Sequence, residues 1–380
     1  MNKKVLITGG AGFIGSNLAI KLHAIGYEVV VLDNLNPQVH GDNYNNSFTY
    51  QIIKNKVQFI KGSILSDDDL LQALKGVDIV VHMAAETGTG QSMYEVSLHT
   101  DVNITGLAKL YEVIVKNKLH VEKIILPSSR SVYGEGKYYC LEHGFQYPLE
   151  RKEINLKHKC FDFTCGHCGE KLKSVATDED SKINFKSVYG YTKYSQEELA
   201  KLMSKILDIT TDIYRLQNVY GVGQSLSNPY TGIISIFSNL IKNNKQINVF
   251  EDGLESRDFV NVEDVTDIIV SGISNKTSGC HIYNIGTGIN TSVMQIVRVL
   301  GEVIGIEATY VISGNYRVGD IRHNYADITK LRSVLKIEPK IELREGIKKL
   351  VNWMEQNDFP CGYESYERSL NEMKKFDLYK

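Results

Sequence analysis

The feature that most restricts the fold of this chain is a glycine-spaced turn between two apolar runs near its start. Gly9, Gly12 and Gly15 give the spacing G-x-x-G-x-x-G; Gly9 lies at the end of the apolar run KKVLITGG, and the other two lie in the helix-like stretch AGFIGSNLAIKLHAIG that follows. A second apolar run, YEVVVLDN, contains Asp33 at its end. Glycines at this spacing permit a tight turn, close approach of the backbone to a pyrophosphate, and close packing of helix on strand. The order strand, turn, helix, strand and acid predicts a dinucleotide-binding unit.

The acid at the end of the second run also predicts which dinucleotide is bound. Asp33 can accept hydrogen bonds from both ribose hydroxyls of adenosine and would repel a 2′-phosphate, which favours NAD over NADP. The helix that follows the glycine turn supplies amide donors and positive potential for the phosphates. The sequence therefore predicts NAD as the cofactor.

Further apolar runs continue the alternation of strands and helices. The runs VQFIKGSI, VDIVVHMAA and HVEKIILPSS are predicted strands, and LHTDVNITGLAKLYEVIVKN between the last two is a predicted helix. This alternation predicts an α/β fold with a Rossmann-type doubly wound parallel sheet. Ligands of such a sheet bind beyond the carboxyl ends of its strands.

The length of the chain allows more than this one unit. At 380 residues it can form two lobes, so we expect a smaller α/β substrate-binding lobe beside the NAD-binding domain. The predicted boundaries are 1–215 with a return segment at about 258–275 for the NAD-binding domain, 216–257 and 276–360 for the substrate-binding lobe, 137–178 for a Cys-rich insertion, and 361–380 for a C-terminal tail.

Charge and hydropathy exclude several classes of partner. The formal net charge is −2, which favours neither nucleic acid nor an anionic membrane surface. The sequence has no apolar run near the roughly 20 residues of a membrane span, and the N-terminal run is shorter than the core of a signal peptide. We therefore expect a cytoplasmic protein, in which cysteines are ligands or free thiols rather than disulfides.

A tyrosine and a lysine four positions apart are candidates for acid–base chemistry. Tyr189 and Lys193 lie in SVYGYTKYSQEELAKLMSKILDI, a predicted long helix, so their side chains share one helix face. A nearby ammonium group favours the phenolate, and we expect it to lower the tyrosine pKa from its usual value of about 10. A group with such a pKa can act as base or acid near neutral pH.

Several motifs together identify a family. The stretches TGGAGFIG, HMAAE, PSSRSVYG, YGYTK, RLQNVYG and RDFVNVEDV, in this order, resemble the extended short-chain dehydrogenases, which include the NAD-dependent sugar-nucleotide epimerases and dehydratases. The resemblance covers roughly residues 4–350. It implies that Tyr189 is the catalytic base, that Lys193 orients it and holds the nicotinamide ribose, and that Ser129 is the third catalytic residue.

The family pattern and the strand ends together give the candidate cofactor contacts. One departure is that Gly62 is followed by Ser63, where the family often has an acid that contacts adenine. The predicted cofactor-binding residues are Gly9, Gly12, Phe13, Ile14, Gly15, Asp33, Asn34, Ile64, Ala84, Ala85, Asn103, Tyr189 and Lys193.

The residues after the catalytic serine discriminate between reactions. Dehydratases of the family place an acid pair directly after this serine or threonine, whereas this chain has Arg130 and Ser131. A 4-epimerase needs only Ser129, Tyr189, Lys193 and tightly bound NAD, so the resemblance favours epimerisation at C4 of a nucleotide-activated sugar. A nucleotide-sugar 4-reductase or 4,6-dehydratase, and a binding protein without activity that retains NAD, are the alternatives.

Polar and basic residues in the second half match family positions that hold the substrate. The predicted substrate contacts also include the serine and the two residues that follow it. An arginine fork suits a diphosphate, although a surface ion pair is the commoner fate of an arginine. The predicted substrate-binding residues are Ser129, Arg130, Ser131, Asn218, Asn228, Arg257 and Arg317.

The Cys-rich insertion separates the catalytic serine from the tyrosine more widely than is usual in the family. Its pairs Cys140-x-x-His143 and Cys165-x-x-Cys168 have the spacing of zinc ligands, and they predict a closed Cys₃His site with a structural role. Cys160 and His167 are further candidates for the fourth ligand, free thiols are the simplest alternative, and a redox pair is another.

Within the family, this insertion and the stretch SLSNPYTGI look most like the dTDP-L-rhamnose 4-epimerases, which interconvert dTDP-L-rhamnose and dTDP-6-deoxy-L-talose. The UDP-hexose 4-epimerases are the close alternative. The family also implies a homodimer that is formed through the helices near residues 101–117 and 188–207.

Overall fold

The apolar runs of the sequence form the strands of a large sheet, with shorter strands in the rest of the chain. A computed structural model describes residues 3–226, 232–357 and 363–380, the last range with side chains from residue 367. The strands in chain order are β1 (Lys4–Thr8), β2 (Glu28–Asp33), β3 (Gln58–Lys61), β4 (Ile79–His82), β5 (Lys123–Ser129), β6 (Lys137–Cys140), β7 (Gly144–Gln146), β8 (Lys173–Val175), β9 (Thr210–Leu216), β10 (Asn218–Tyr220), β11 (Ile247–Val249), β12 (Ser256–Arg257), β13 (Phe259–Asn261), β14 (Cys280–Ile285), β15 (Thr291–Ser292), β16 (Tyr310–Ile312) and β17 (His323–Asn324).

The large sheet is parallel and has seven strands in the order β3-β2-β1-β4-β5-β9-β14. The strand order reverses between β1 and β4, which is where ligands bind in a doubly wound sheet. This topology confirms the predicted Rossmann-type α/β fold. One boundary is corrected: strand β14, predicted within the substrate-binding lobe, pairs with β9 from Cys280↔Thr211 to Ile285↔Leu216. Its apolar side chains complete the core of the large sheet, and the sequence could not show which sheet they join.

Helices cover both faces of this sheet. Helices α1 and α10 pack together on one face, and α4, α6 and α8 lie on the other. The α-helices are α1 (Phe13–Ala24), α2 (Pro37–His40), α3 (Phe48–Ile53), α4 (Asp67–Ala73), α5 (Val96–Thr100), α6 (Gly106–Lys116), α7 (Glu153–Lys157), α8 (Val188–Leu207), α9 (Ile233–Lys242), α10 (Val262–Ser274), α11 (Val293–Ile304), α12 (Leu343–Gln356) and α13 (Tyr363–Lys375). Within the described ranges, none of these helices has the length and apolar character to cross a membrane.

Two smaller units lie beside the large sheet. The smaller lobe, which the sequence predicts to be substrate-binding, packs α9, α11 and α12 around a separate apolar core that includes Phe237, Leu300 and Leu350. The insertion forms an antiparallel sheet of order β7-β6-β8 around a small core of Tyr138 and Phe163 with its cysteines. The substrate-binding lobe borders a cavity at the carboxyl edge of the large sheet, and the insertion pairs with that lobe through Arg151 and Glu251.

A buried ion pair attaches α8 to the large sheet. Two parallel hydrogen bonds join them, from Arg215 Nε to Glu197 Oε1 (3.0 Å) and from Arg215 Nη2 to Glu197 Oε2 (2.7 Å). Both side chains are almost completely buried. Ser128 Oγ, at the end of β5, donates to the same carboxylate at 2.5 Å. The pair therefore fixes α8 against the strand ends β5 and β9.

We expect Glu197→Ala to lower the free energy of unfolding by about 3–5 kcal/mol, because it leaves the Arg215 guanidinium buried without its counter-charge. Denaturant titration followed by circular dichroism measures this change. The neighbouring Glu198 forms an exposed pair with Lys201, so Glu198→Ala should change stability by less than about 1 kcal/mol. Equal effects of the two substitutions would contradict a special role of the buried pair.

Candidate active site

A continuous cavity of about 1180 Å³ lies between the carboxyl edge of the large sheet and the substrate-binding lobe. Most of the residues predicted from the sequence line it, although they come from distant parts of the chain. Asn228 lies outside the described residues, and Asn103 and Lys193 are buried behind the cavity wall. The predicted residues that line the cavity are Gly9, Gly12, Phe13, Ile14, Gly15, Asp33, Asn34, Ile64, Ala84, Ala85, Ser129, Arg130, Ser131, Tyr189, Asn218, Arg257 and Arg317.

The glycine turn after β1 forms one end of this cavity. A Cβ at Gly15 would lie 2.5 Å from the Gly9 carbonyl oxygen, and a Cβ at Gly9 would lie 2.7 Å from Ala84 Cα. Only glycine therefore fits the contact of this turn with α1 and β4. Gly12 is the N-cap of α1 and has no side chain to occupy the first amides of the helix, which line the cavity. This end can hold a diphosphate at a helix N-terminus.

Asp33 at the end of β2 stabilises the glycine turn through hydrogen bonds. Its Oδ2 accepts a hydrogen bond from Ala11 N at 2.9 Å, and its Oδ1 accepts one from Leu35 N at 2.8 Å. His40 Nε2 lies 3.8 Å from Oδ1. The carboxylate lines the cavity and retains lone pairs for further donors, which fits the hydroxyl groups of a ribose.

Tyr189 lies in the first turn of α8, beside the end of β5. The Ser187 side chain caps this helix by accepting from Gly190 N at 3.1 Å, and Ser92 Oγ accepts from Tyr189 N at 3.0 Å. Burial raises the pKa of the Tyr189 phenol, although a hydrogen bond with Ser129 and the positive charge of Arg130 oppose the rise. The predicted lowering of this pKa is therefore wrong, because burial destabilises the phenolate more than the neighbouring groups stabilise it.

Lys193 lies one turn further along α8, behind the cavity wall. Its Nζ donates to Gln196 Oε1 at 2.7 Å, and burial lowers its pKa to about 8. Gln196 Nε2 in turn donates to the Asn103 carbonyl oxygen at 2.7 Å. Lys193 is thus one turn from Tyr189, as predicted, but its ammonium is held by its own helix.

Asn103, a predicted cofactor contact, is oriented by protein groups instead. It is completely buried in a π-helical turn, Asp101–Thr105, and its amide nitrogen donates to Thr192 Oγ1 at 2.9 Å and to the Glu86 carbonyl oxygen at 3.1 Å. Its Oδ1 accepts from Glu86 N at 2.8 Å. The structure therefore corrects its position: Asn103 joins α8 to the segment after β4 and does not line the cavity.

The segment after Ser129 presents hydroxyl and guanidinium groups. Ser129 Oγ donates to Ser131 Oγ and accepts from Ser131 N, both at 3.1 Å. Arg130 Nε donates to Asn218 Oδ1 at 2.8 Å. Burial and the neighbouring Arg257 lower the pKa of Arg130 to about 9, so it remains protonated near neutral pH. This part of the wall can bind an anion but offers no carboxylic acid next to Ser129.

Two further arginines come from the substrate-binding lobe. The Arg257 guanidinium donates to the carbonyl oxygens of Ser256, Ile321 and Arg322, at distances between 2.6 and 3.1 Å. Arg317 Nε lies 2.8 Å from Asp320 Oδ2, and its guanidinium lies over the Phe250 ring. Both arginines line the cavity floor together with Arg130, beside the acidic side chains of Glu251, Glu255 and Asp320.

The sequence analysis missed several residues of the site. Ser92 holds the backbone of Tyr189, and Lys186 adds an ammonium group to the cavity lining. Ser92 follows a loop with no motif, so only the fold shows its contact. The C-terminal tail also lines the cavity, through Ser369, Met373 and Leu378, although its sequence carries no recognisable chemistry.

Four candidate ligands of the insertion lie together outside this cavity. Cys140 Sγ lies 3.6 Å from both His143 Nδ1 and Cys168 Sγ, and Cys165 Sγ lies 3.6 Å from His143 Nδ1. All four ligand atoms lie within 4.8 Å of one another. Zn–S bonds of about 2.3 Å and Zn–N bonds of about 2.0–2.1 Å imply tetrahedral edges of about 3.5–3.8 Å. These residues therefore fit a zinc ion.

The turns that carry these ligands have the geometry that two chelating pairs need. Gly144 and Gly169, which follow the pairs, have φ values of +68° and +78°, a conformation that favours glycine. Gly169 N donates to the Cys165 carbonyl oxygen at 2.9 Å and closes the second turn. Cys160 is exposed and lies outside the group, and the ring of His167 stacks on that of His143 at 4.9 Å.

Comparisons with known proteins agree with this arrangement. The chain is 37% identical to a dTDP-L-rhamnose 4-epimerase of Burkholderia thailandensis over 357 residues, which cover 93% of this chain and 95% of that protein. The UDP-glucose 4-epimerase of Thermotoga maritima in complex with UDP-glucose superposes with a TM-score of 0.74 at 28% identity, covering 93% of this chain and 99% of that one. The UDP-glucuronic acid 4-epimerase of Bacillus cereus in complex with UDP-glucuronic acid and NAD gives a TM-score of 0.75 at 26% identity, with the same coverage.

A family model matches residues 5–151 and 157–286, which include the glycine turn, Ser129, Tyr189 and Lys193. The match extends over the strands of the large sheet, β14 included. With the cavity geometry and the 37% identical relative, it establishes that the chain belongs to the NAD dependent epimerase/dehydratase family.

Proposed function

We propose that this protein is an NAD-dependent 4-epimerase of a nucleotide-activated hexose or deoxyhexose. The observation that carries the proposal is the composition of one cavity wall. Tyr189 and Ser129 lie together beside the glycine turn, while Arg130 and Ser131 stand where an elimination would need acids. A site of this composition can transfer a proton and a hydride at C4, and the two positions directly after Ser129 carry no acid that could help to expel water.

Each group of this site would have a separate role in the reaction. The N-terminus of α1 would hold the diphosphate of NAD and Asp33 its adenosine ribose, and the bound NAD would supply the hydride acceptor and donor. Tyr189 takes the proton of the sugar 4-hydroxyl and later returns it. Ser129 and Arg130 favour the phenolate of Tyr189 and so oppose the cost of its burial. Lys193 lies one helical turn away from Tyr189, and its ammonium would have to leave Gln196 to hold the nicotinamide ribose.

The arginines of the cavity floor support a nucleoside diphosphate sugar as the substrate. Arg130, Arg257 and Arg317 offer guanidinium groups beside Tyr189, which matches a diphosphate next to the sugar. The Cys-rich insertion and the 37% identical relative favour dTDP-L-rhamnose, with dTDP-6-deoxy-L-talose as the product. A UDP-hexose is the second candidate, because UDP-sugar epimerases share the fold over 93% of the chain.

The proposal predicts turnover without added cofactor. We expect the purified protein to convert dTDP-L-rhamnose into its C4 epimer with no net change in NADH absorbance, and to release NAD on denaturation. Product analysis by NMR and mass spectrometry of the released cofactor measure both. Turnover of UDP-glucose instead would identify the alternative substrate. A stoichiometric demand for added NADH would contradict the epimerase and indicate a reductase.

A single substitution tests the role of the phenol. Tyr189→Phe should fold normally and lower kcat by about 10²–10⁴-fold, because it removes only the group that accepts the proton. Tyr191→Phe, on the same helix with a largely exposed ring, should keep nearly normal turnover. Near-normal turnover by Tyr189→Phe would exclude Tyr189 as the base.

We further propose that the insertion holds a structural zinc ion through Cys140, His143, Cys165 and Cys168. These residues supply a complete tetrahedral set and leave no ligand position for a substrate. In a reducing cytoplasm, which the sequence favours, the thiols would be available as ligands. Because the core around Tyr138 and Phe163 is small, a bound metal would add stability to this unit.

Metal analysis of matched serine variants tests this zinc site. We expect one zinc per chain in the wild type and in Cys160→Ser, whose thiol is exposed and outside the group, and less than a tenth of that in Cys165→Ser. Hydrogen exchange should show loosening of residues 137–178 in Cys165→Ser. Wild-type zinc content in that variant, or a wild type without zinc after growth in zinc, would contradict the proposal.

A homodimer through α6 and α8 is also proposed. Large apolar side chains are exposed on both helices, including Val115 on α6 and Leu202 and Ile206 on α8. A second copy packed on these helices would cover them.

A further inference from the structure

We propose that residues 367–380, here called the C-terminal clasp, form a wall of the substrate site that binds the nucleotide sugar and holds Arg317 in place. This inference rests on the proposed function, since it concerns the same cavity. The clasp contacts the wall at two points, the loop that holds Tyr189 and the segment that carries Arg317. A nucleoside diphosphate sugar would extend between the same two points.

The end of the clasp forms an antiparallel β-bridge with the segment around Arg317. Tyr316 N donates to the Lys380 carbonyl oxygen at 2.8 Å, and Lys380 N donates to the Tyr316 carbonyl oxygen at 3.0 Å. Val318 N donates to the Leu378 carbonyl oxygen at 2.9 Å. These hydrogen bonds lie on both sides of Arg317, which faces Tyr379 in this antiparallel β-bridge. The clasp therefore restricts the backbone that positions this guanidinium.

Tyr379 fixes the side-chain environment of the same arginine. Its hydroxyl accepts hydrogen bonds from Asn248 Nδ2 at 3.1 Å and from Asn315 Nδ2 at 2.8 Å. Its ring contacts Phe250 with a centroid separation of 5.3 Å, and the Arg317 guanidinium lies 5.2 Å from the centroid of that same Phe250 ring. Phe250 and Asn248 both line the cavity. Tyr379 thus supports the wall behind the proposed diphosphate site.

The other contact of the clasp lies beside the catalytic tyrosine. The Phe376 ring stacks on Tyr94 at 4.8 Å, directly after the turn Gln91–Met93 that contains Ser92. Ser92 is the residue that accepts the Tyr189 N–H. The Met373 sulfur lies 3.3 Å from the position of a Cβ at Gly90, in the same loop. The clasp therefore packs on the loop that orients the base.

Three side chains of the clasp face the cavity. Ser369 and Met373 are buried, and both line the cavity together with Leu378. They offer a hydroxyl and two apolar surfaces along the path from Tyr189 to Arg317. Leu378 is only partly buried, so a ligand that extends over this path would cover it further and gain affinity from that contact. The clasp is thus expected to act on substrate binding more than on the chemical step.

Two point variants and one matched control test the clasp. Tyr379→Phe and Met373→Ala should each raise the KM for the nucleotide sugar about tenfold. The first removes the hydroxyl that accepts hydrogen bonds from two amides, and the second removes an apolar side chain from the cavity lining. The kcat should stay within about twofold, and the bound NAD should not change. Asn371→Ala, exposed on the same helix, should leave both kinetic constants unchanged.

Hydrogen exchange on the wild type provides a readout that does not depend on turnover. Adding dTDP, or UDP in a parallel sample, should slow exchange of the amides in 316–318 and 378–380. Normal KM values in both variants, or unchanged exchange with both nucleotides, would overturn the inference. If the wild type converts no nucleotide sugar, the proposed function fails, and the exchange result still decides whether the clasp closes on a nucleoside diphosphate.

Discussion

The buried ion pair between Glu197 and Arg215 is the interaction on which the catalytic geometry depends. It joins α8, which carries Tyr189, to β9, and Ser128 at the end of β5 donates to the same carboxylate. The Arg215 guanidinium also donates to the Tyr133 hydroxyl and to the Glu179 carbonyl oxygen, on either side of the insertion. The two catalytic side chains can therefore meet although a whole insertion separates them in the sequence.

A second ionic network connects this insertion to the substrate-binding lobe. Arg322 is buried and contacts Asp162 of the insertion together with Glu251 and Asp252 of the lobe. Arg151 of the insertion also pairs with Glu251. Glu251 lines the cavity, so the network joins the proposed zinc unit to the wall of the substrate site. The insertion can thus act on that wall through Glu251, although none of residues 137–178 lines the cavity itself.

Features set by local sequence were predictable, and those set by long-range packing were not. The turn from Gly9 to Gly15 and the one-turn spacing of Tyr189 and Lys193 follow from neighbouring residues, and the structure shows both. Burial raises the pKa of Tyr189, where the sequence had predicted a lower value, and buried hydrogen bonds hold Asn103 outside the cavity lining. Sequence pattern could not show the partner strand of β14 or the return of the C-terminal clasp to the cavity, because both depend on contacts distant in sequence.

We propose above all that this site removes a hydride from sugar C4 and returns it to the same carbon without releasing it. A nucleotide sugar labelled with deuterium at C4, incubated with the protein in ordinary water, tests this claim most directly. We expect the epimeric product to retain the deuterium at C4, as followed by NMR and mass spectrometry. Loss of the label to solvent during epimerisation would contradict the account, because it would indicate proton exchange at carbon instead of hydride transfer.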